Sequence, residues 1–340
     1  MKSSSKNLAL DDGIIIILSY PDTVVRPAYR EFSSKIWPKI GVGSKHAVQA
    51  GHAALMLIKR NAPKIKYFDF GRYITTNGNG RTRSEETDPE LKVNIEANFK
   101  NDELINIDKI LLWIESHPEK THGSGRLIAG LNQEINYDKA LKFINTLIDK
   151  KEFPYGAFIK KGTNCARFVT DTIIKSTTNK KIKKSLKTSN RFTPSPIGNV
   201  IKATTSNSIY EVFDKKITTY KNRSILKEYK ASFFNKFDHE LNLIGTEEPN
   251  LEVFNLKKGT WLGGIGSGAW FNIEKQIDSK TYSIARYDVN GIKEFEYNFS
   301  VNDKTFDFKS DFKFVHPSNF KEMLIFQNKE KYIFSRIKIK

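Results

Sequence analysis

The chain has 340 residues, one cysteine and a formal net charge of +18. That length suits two domains, each large enough to bury its own core. A single cysteine excludes an intrachain disulfide framework and a thiolate zinc site, and no run approaches the roughly 18 apolar residues of a membrane span.

The positive balance favours acidic partners such as an anionic wall polymer or lipid head groups. Basic residues are nevertheless spread along the chain. The densest group, Lys180 to Lys187, lacks interleaved aromatics on which bases could stack. Nucleic acid is therefore not the expected partner.

In chain order, the first apolar run is Ile14 to Leu18, preceded by Asp11 and Asp12. It is too short for a signal-peptide core and has the wrong charge before it, so it reads as a buried strand. Cytoplasmic residence is the default expectation, with export by a non-standard route as the alternative.

Two strand-like runs follow, His52 to Ile58 and Lys66 to Tyr73. The first is apolar at both alternating sets of positions, which marks a central strand covered on each side. His52 opens it, and imidazole accepts a proton near neutrality. A structural histidine bonded to backbone is the plainer reading of the same residue. Folding the hairpin about Asn61 and Ala62 sets His52 opposite Gly71, with Asp69 and Tyr73 on diagonals that side chains can bridge. Asp69 could then orient His52 and stabilise its imidazolium. A one-residue slip would bring Arg72 to that face instead. Tyr73 and His46 stand as substitutes for Asp69.

Residues 75–90 read as a surface loop, with Arg81, Arg83, Glu86 and Asp88 solvated or, alternatively, lining a substrate groove. A strand is expected near 92–99. Amphipathic helices follow on Leu104, Ile107, Leu111 and Ile114, and on Tyr137, Leu141, Ile144 and Ile148. His117 and His122 lie in the loop between them without an acid to complete a metal-ligand set.

Cys165 sits in Gly162-Thr163-Asn164-Cys165-Ala166-Arg167-Phe168-Val169. Phe168, Val169, Thr172 and Ile173 follow at helical spacing, so the thiol falls at a helix start. Thr163 or Asn164 can cap that helix, and its dipole would favour thiolate. A lone cysteine on an apolar helix face is also an ordinary core residue. A base beside it would decide the matter. Pro194 and Pro196 argue against regular structure around them within the basic segment 176–205.

From about residue 245 short strand-like runs alternate with turn signals: Trp261 to Ile273, Tyr282 to Tyr287, Ile292 to Phe299, Thr305 to Val315, Met323 to Gln327 and Tyr332 to Lys338. Gly264-x-Gly266-x-x-Ala269 matches a dinucleotide-binding fingerprint in letters only, because a strand-like Trp270-Phe271-Asn272-Ile273 follows where a helix is required. Those glycines are better read as permitting close backbone packing.

With Gly51-His52-Ala53-Ala54-Leu55, then Tyr67-Phe68-Asp69-Phe70-Gly71-Arg72-Tyr73, then Asn164-Cys165-Ala166-Arg167-Phe168-Val169, the chain resembles the permuted papain-like hydrolases. These are related to the NlpC/P60 peptidases and the lecithin:retinol acyltransferase-like enzymes, and their strand histidine precedes the helix cysteine. The resemblance covers residues 12–205. It implies an α+β fold, a cysteine helix on an antiparallel sheet, and thiolate attack on a carbonyl with His52 as proton shuttle. The long insert between histidine and cysteine, and Ala166-Arg167 where the acyltransferases carry His or an acid, depart from that pattern. The C-terminal part resembles uncharacterised bacterial proteins that pair such a domain with a papain-like one.

The resulting expectation is a papain-like cysteine hydrolase domain over 12–215, a linker over 216–244 and a β-rich accessory domain over 245–340. Cys165, His52 and Asp69 are the candidate catalytic residues, and Tyr73, Arg72 and Asn164 the candidate substrate-binding ones. No cofactor or metal is expected. The substrate would be an amide or peptide bond in a peptide-like or acidic polymer. An inactive papain-like binding scaffold and a lipid acyltransferase or thioesterase are the alternatives. The partner of the β-rich domain is left open.

Overall fold

The structure is a computed structural model that describes residues 11–28, 31, 33–44, 47–221, 224–234, 248–251, 259–303 and 305–337. His46 lies outside the described residues, as does much of the connection between the two units.

The first unit is built on strands β1 (Gly13–Tyr20), β2 (His52–Lys59), β3 (Ile65–Gly71), β4 (Asn79–Arg83), the small pair β5 (Phe99–Lys100) and β6 (Glu103–Leu104), then β7 (Leu127–Ile135), β8 (Glu152–Pro154), β9 (Tyr210–Phe213) and β10 (Lys216–Thr219). Its helices are α1 (Ser33–Ile36), α2 (Ile107–Glu115), α3 (Pro118–Thr121), α4 (Tyr137–Asp149), α5 (Cys165–Ser176), α6 (Lys180–Asn190), α7 (Pro196–Ala203) and α8 (Ile225–Phe233). Eight strands form one sheet in the order β10-β9-β7-β1-β2-β3-β4-β8, and its neighbours pair antiparallel.

The apolar runs of β1 and β2 are buried on both faces, as their patterns predict. Ile15, Ile17, Leu55 and Leu57 face Ile144, Phe168, Val169 and Ile173 of α4 and α5. Ile14, Ile16, Met56 and Ile58 face Ile110, Leu111 and Ile114 of α2. Burying one such side chain is worth roughly 1.5–3 kcal/mol, so a strand covered on both faces is firmly held in register.

Several expectations are corrected. Residues 79–83 are not surface loop but β4, and Arg81, Arg83, Ser84, Thr87 and Asp88 are buried. Arg81 pairs with Asp88 and Arg83 with Asp69 inside, while Glu86 is exposed as expected. Between 92 and 99 there is no strand except at Phe99; Val93 and Ile95 pack on the core as irregular chain. The chain is irregular at Pro194, as expected, but Pro196 opens a helix: it occupies the first turn of α7, where the missing N–H costs nothing, and Ser195 caps it. Residues 216–219, placed in the linker by sequence, form β10 at the sheet edge.

The second unit carries β11 (Thr260–Gly263), β12 (Gly268–Gln276), β13 (Thr281–Tyr287), β14 (Lys293–Val301), β15 (Lys313–Val315), β16 (Glu322–Gln327) and β17 (Glu330–Arg336). Of the expected run 305–315 only 313–315 is strand. The sheet order is β11-β12-β13-β14-β17-β16-β15. It curls until the Phe314 N–H donates to the Thr260 hydroxyl at 3.1 Å, nearly closing a barrel around Phe271, Phe299, Phe314 and Phe334.

The β unit docks on the segment that joins β3 to β4 and follows it. Gly264 lies in the β11–β12 turn, where a Cβ would stand 2.4 Å from the Ile74 nitrogen and 2.5 Å from the Arg72 oxygen. Only glycine permits the bond from the Ile265 N–H to the Arg72 carbonyl at 2.9 Å. Buried Arg286 reaches Glu90 at 2.8 Å and Glu294 at 2.5 Å.

Candidate active site

His52 is the first residue of β2, and Asp69 lies within β3. Ala54 pairs with Asp69 and Ile58 with Ile65. Continued by two residues, that register sets Asp69 diagonal to His52. Both side chains are buried, and His52 Nε2 stands 3.7 Å from Asp69 Oδ2.

Asp69 is fixed from the opposite side. Arg83 on β4 donates to it from Nε at 2.9 Å and from Nη2 at 2.6 Å, and the Tyr67 hydroxyl donates to Oδ2 at 3.0 Å. Burial alone would raise its pKa. The Arg83 charge and the contact with His52 outweigh burial and hold the carboxyl well below the usual range. Asp69 is an anion at neutral pH.

Cys165 opens α5, which packs on β2 and β3. Asn164 is the residue that caps this helix, accepting from the Arg167 N–H at 2.8 Å. Burial pushes the Cys165 thiol up, but hydrogen bonding and charge from His52, with backbone donors at Ala53 and Ala166, carry it below its ordinary value. For His52, burial favours the neutral ring. The Asp69 carboxylate beside the ring, and after it the Cys165 sulfur, reverse that and push it up to about 9. The two shifts favour the same state, thiolate beside imidazolium.

Tyr155 also borders the thiol. Burial, followed by the neighbouring sulfur charge, pushes its phenol up and keeps it a neutral donor. Tyr155 carries no sequence signal as a site residue, and the sequence offers Arg83 only as a groove-lining alternative, not as the partner of Asp69. Arg83 faces Asp69 directly across β3 and β4, a relation visible only once 79–83 is read as strand.

Of the other candidates, Arg72 is buried against the Tyr155 ring, its guanidinium carbon 4.6 Å from the ring centroid. Tyr73 lies behind Asp69, between the Arg83 guanidinium at 3.6 Å and the stacked His122 ring at 4.9 Å. Burial and the Arg83 charge push His122 down to about 3, so it is neutral there. His117 stacks on Trp113. Among the described residues no group of three or more His, Cys, Asp or Glu side chains is placed to hold a metal ion.

A cleft of about 440 Å³ opens on Cys165 and Asn164. Its walls are largely apolar, with Val25, Trp37, Val42, Val48, Pro194, Tyr229 and Phe233 among them. The arrangement is a thiol at a helix start, an imidazole at a strand start and a buried carboxylate behind it. These are the parts that nucleophilic thiol chemistry requires.

Residues 15–182 match the family model described as type VI secretion system effector TseH-like, and residues 259–337 match the DUF6695 C-terminal domain. The crystal structure of the type VI secretion system effector TseH aligns with 62% of this chain and 99% of its own, at 15% identity and a TM-score of 0.39. No curated protein matches the sequence. None of these comparisons speaks for the lecithin:retinol acyltransferase-like branch. No helix among the described residues is long and apolar enough to cross a membrane.

Proposed function

We propose that this protein is a thiol hydrolase of papain-like type, exported as a type VI secretion effector. The observation that carries the chemistry is His52 Nε2 at 3.7 Å from the buried Asp69 carboxylate, with the Cys165 thiol opening the helix packed on the same strands and shifting in pKa together with the ring. The family description matched by residues 15–182 supports export over the cytoplasmic default.

In this reading the Cys165 thiolate attacks the carbonyl carbon of an amide, and the developing oxyanion faces the Cys165 N–H at the start of α5. As the tetrahedral intermediate collapses, the C–N bond breaks and the His52 imidazolium gives its proton to the leaving amine. Neutral His52 then takes a proton from water, the hydroxide attacks the thioester, and the thiolate leaves with His52 protonated again. Asp69 does not touch the reacting atoms; it orients the ring and stabilises its positive form.

A peptide-like or acidic polymer remains the first substrate reading. The apolar walls of the cleft support a second, an ester or thioester whose acyl chain lies along Val25, Trp37 and Phe233. The polarised thiol speaks against an inactive scaffold. The catalytic unit, expected over 12–215, extends in this proposal through α8, because Tyr229 and Phe233 wall the cleft; the β unit over 259–337 is accessory.

The test is the pH dependence of Cys165 alkylation by iodoacetamide, in the native protein and in His52→Ala. The proposal expects a thiol that titrates below the free value of about 8.5 and returns upward in the variant. A thiol that resists alkylation until the protein is denatured would sink it.

A further inference from the structure

Four arginines are buried among the described residues: Arg72, Arg81, Arg83 and Arg286. Three of them hold carboxylates, Arg81 on Asp88, Arg83 on Asp69 and Arg286 on Glu90. Arg72 differs. Its Nη2 donates to the Arg26 carbonyl at 2.5 Å and its face meets the Tyr155 ring, but no carboxylate of the described residues pairs with it. A buried guanidinium whose one nearby negative partner among the described residues is the Cys165 sulfur, with no carboxylate, is costly, and such a cost is ordinarily offset by a further anion.

Arg72 also lines a cavity of about 480 Å³ between the two units, together with Arg26, the turn 75–79, Gly263 to Ile265 and His316. None of its lining side chains is acidic. His316 keeps a buried Nδ1 with no hydrogen-bond partner. Arg26 lines this cavity and the Cys165 cleft alike, so the two meet at that residue.

We propose that this junction cavity is an oxyanion subsite that binds a carboxylate or phosphate group carried by the substrate, with Arg72 as its principal charge. The substrate is then amphiphilic or extended, its scissile carbonyl at Cys165 and its anionic group between the units. The turn 263–265 and His316 come from the β unit, which gives that unit a part in substrate selection. The link to a substrate rests on the hydrolase reading above; anion binding does not, because it is measured without turnover. The two therefore fail separately.

The experiment is an amide NMR titration of the full chain with inorganic phosphate and, separately, with acetate, each against chloride at constant ionic strength. Saturable shifts are expected at Gly78, Gly264 and Ile265. Tighter phosphate binding points to a phosphoryl group, and equal or tighter acetate binding to a carboxylate. Arg72→Gln and Asn77→Glu should each weaken binding about tenfold or more, as loss of a charge-assisted bond or entry of a like charge entails. Asn77 is an exposed side chain at the rim, so its variant carries the test if Arg72→Gln does not fold. The proposal is overturned if neither anion gives saturable shifts, or if affinity is unchanged in the variants that fold.

Discussion

Arg83 and Asp69 occupy facing positions on β4 and β3, and the guanidinium grips the carboxylate through two bonds of 2.9 and 2.6 Å in a fully buried setting. The pair fixes the acid on which His52 depends. It also shows why a charged strand can lie inside: each charge is met before it is buried.

Removing one partner of such a pair strands the other. Arg83→Met should destabilise the fold by about 3–5 kcal/mol, because Asp69 would remain buried without its counter-charge. Tyr67→Phe removes a single bond to the same carboxylate and should cost about 1–3 kcal/mol. Urea unfolding at neutral pH measures both. A loss for Arg83→Met no larger than that for Tyr67→Phe would show that the ion pair is not what holds Asp69.

The pH response follows from the signs. His52 is pushed up to about 9, so its contribution to stability is complete below the unfolded value of about 6.5 and is lost as pH rises through 9. Asp69 is depressed, so its contribution is present above about 3.9 and is lost as pH falls towards its folded value. Alkylation of Cys165 should therefore rise as pH passes the lowered thiol value, with a second change near 9 where His52 gives up its proton. Asp69→Asn should move that upper change towards lower pH. An unmoved upper limb would mean that another group titrates there.

Gly264 tests how the units meet. Gly264→Ala places a Cβ against the backbone of Arg72 and Ile74, neither of which can swing away as a side chain would. Overpacking of this kind costs about 1–3 kcal/mol. The expected readout is earlier proteolytic cleavage of the segment joining the units, with the β unit itself still folded. Wild-type resistance would mean that the contact is softer than described.

The readable parts of this fold are those where one physical signal dominates. The apolar faces of β2 and β3 and their short turn set the register, and with it the diagonal between His52 and Asp69. The spacing from Cys165 to Ile173, with Asn164 before it, gave α5 and its cap. The opposite holds for 79–83, where Arg81 and Arg83 read as solvent-facing because their partners, Asp88 and Asp69, are identified only by the fold. Pro196 misled for a related reason: a proline that breaks a helix interior is well placed at a helix start. The apolar cleft was hidden because its walls come from 25–48, 155–158, 193–196 and α8, segments that no local pattern connects.

The buried arginines also bear on how the protein meets its target. Arg81, Arg83 and Arg286 are neutralised internally, so the formal excess of +18 resides mainly on solvent-facing lysines such as those of α6. That makes encounter with an anionic surface a matter of ionic strength. Screening contracts from about 10 Å at 0.1 M salt to 3 Å at 1 M, so capture by anionic vesicles should slow steeply over that range. Salt-independent capture would instead place the attraction in the apolar walls of the Cys165 cleft, and the lysines would then serve solubility alone.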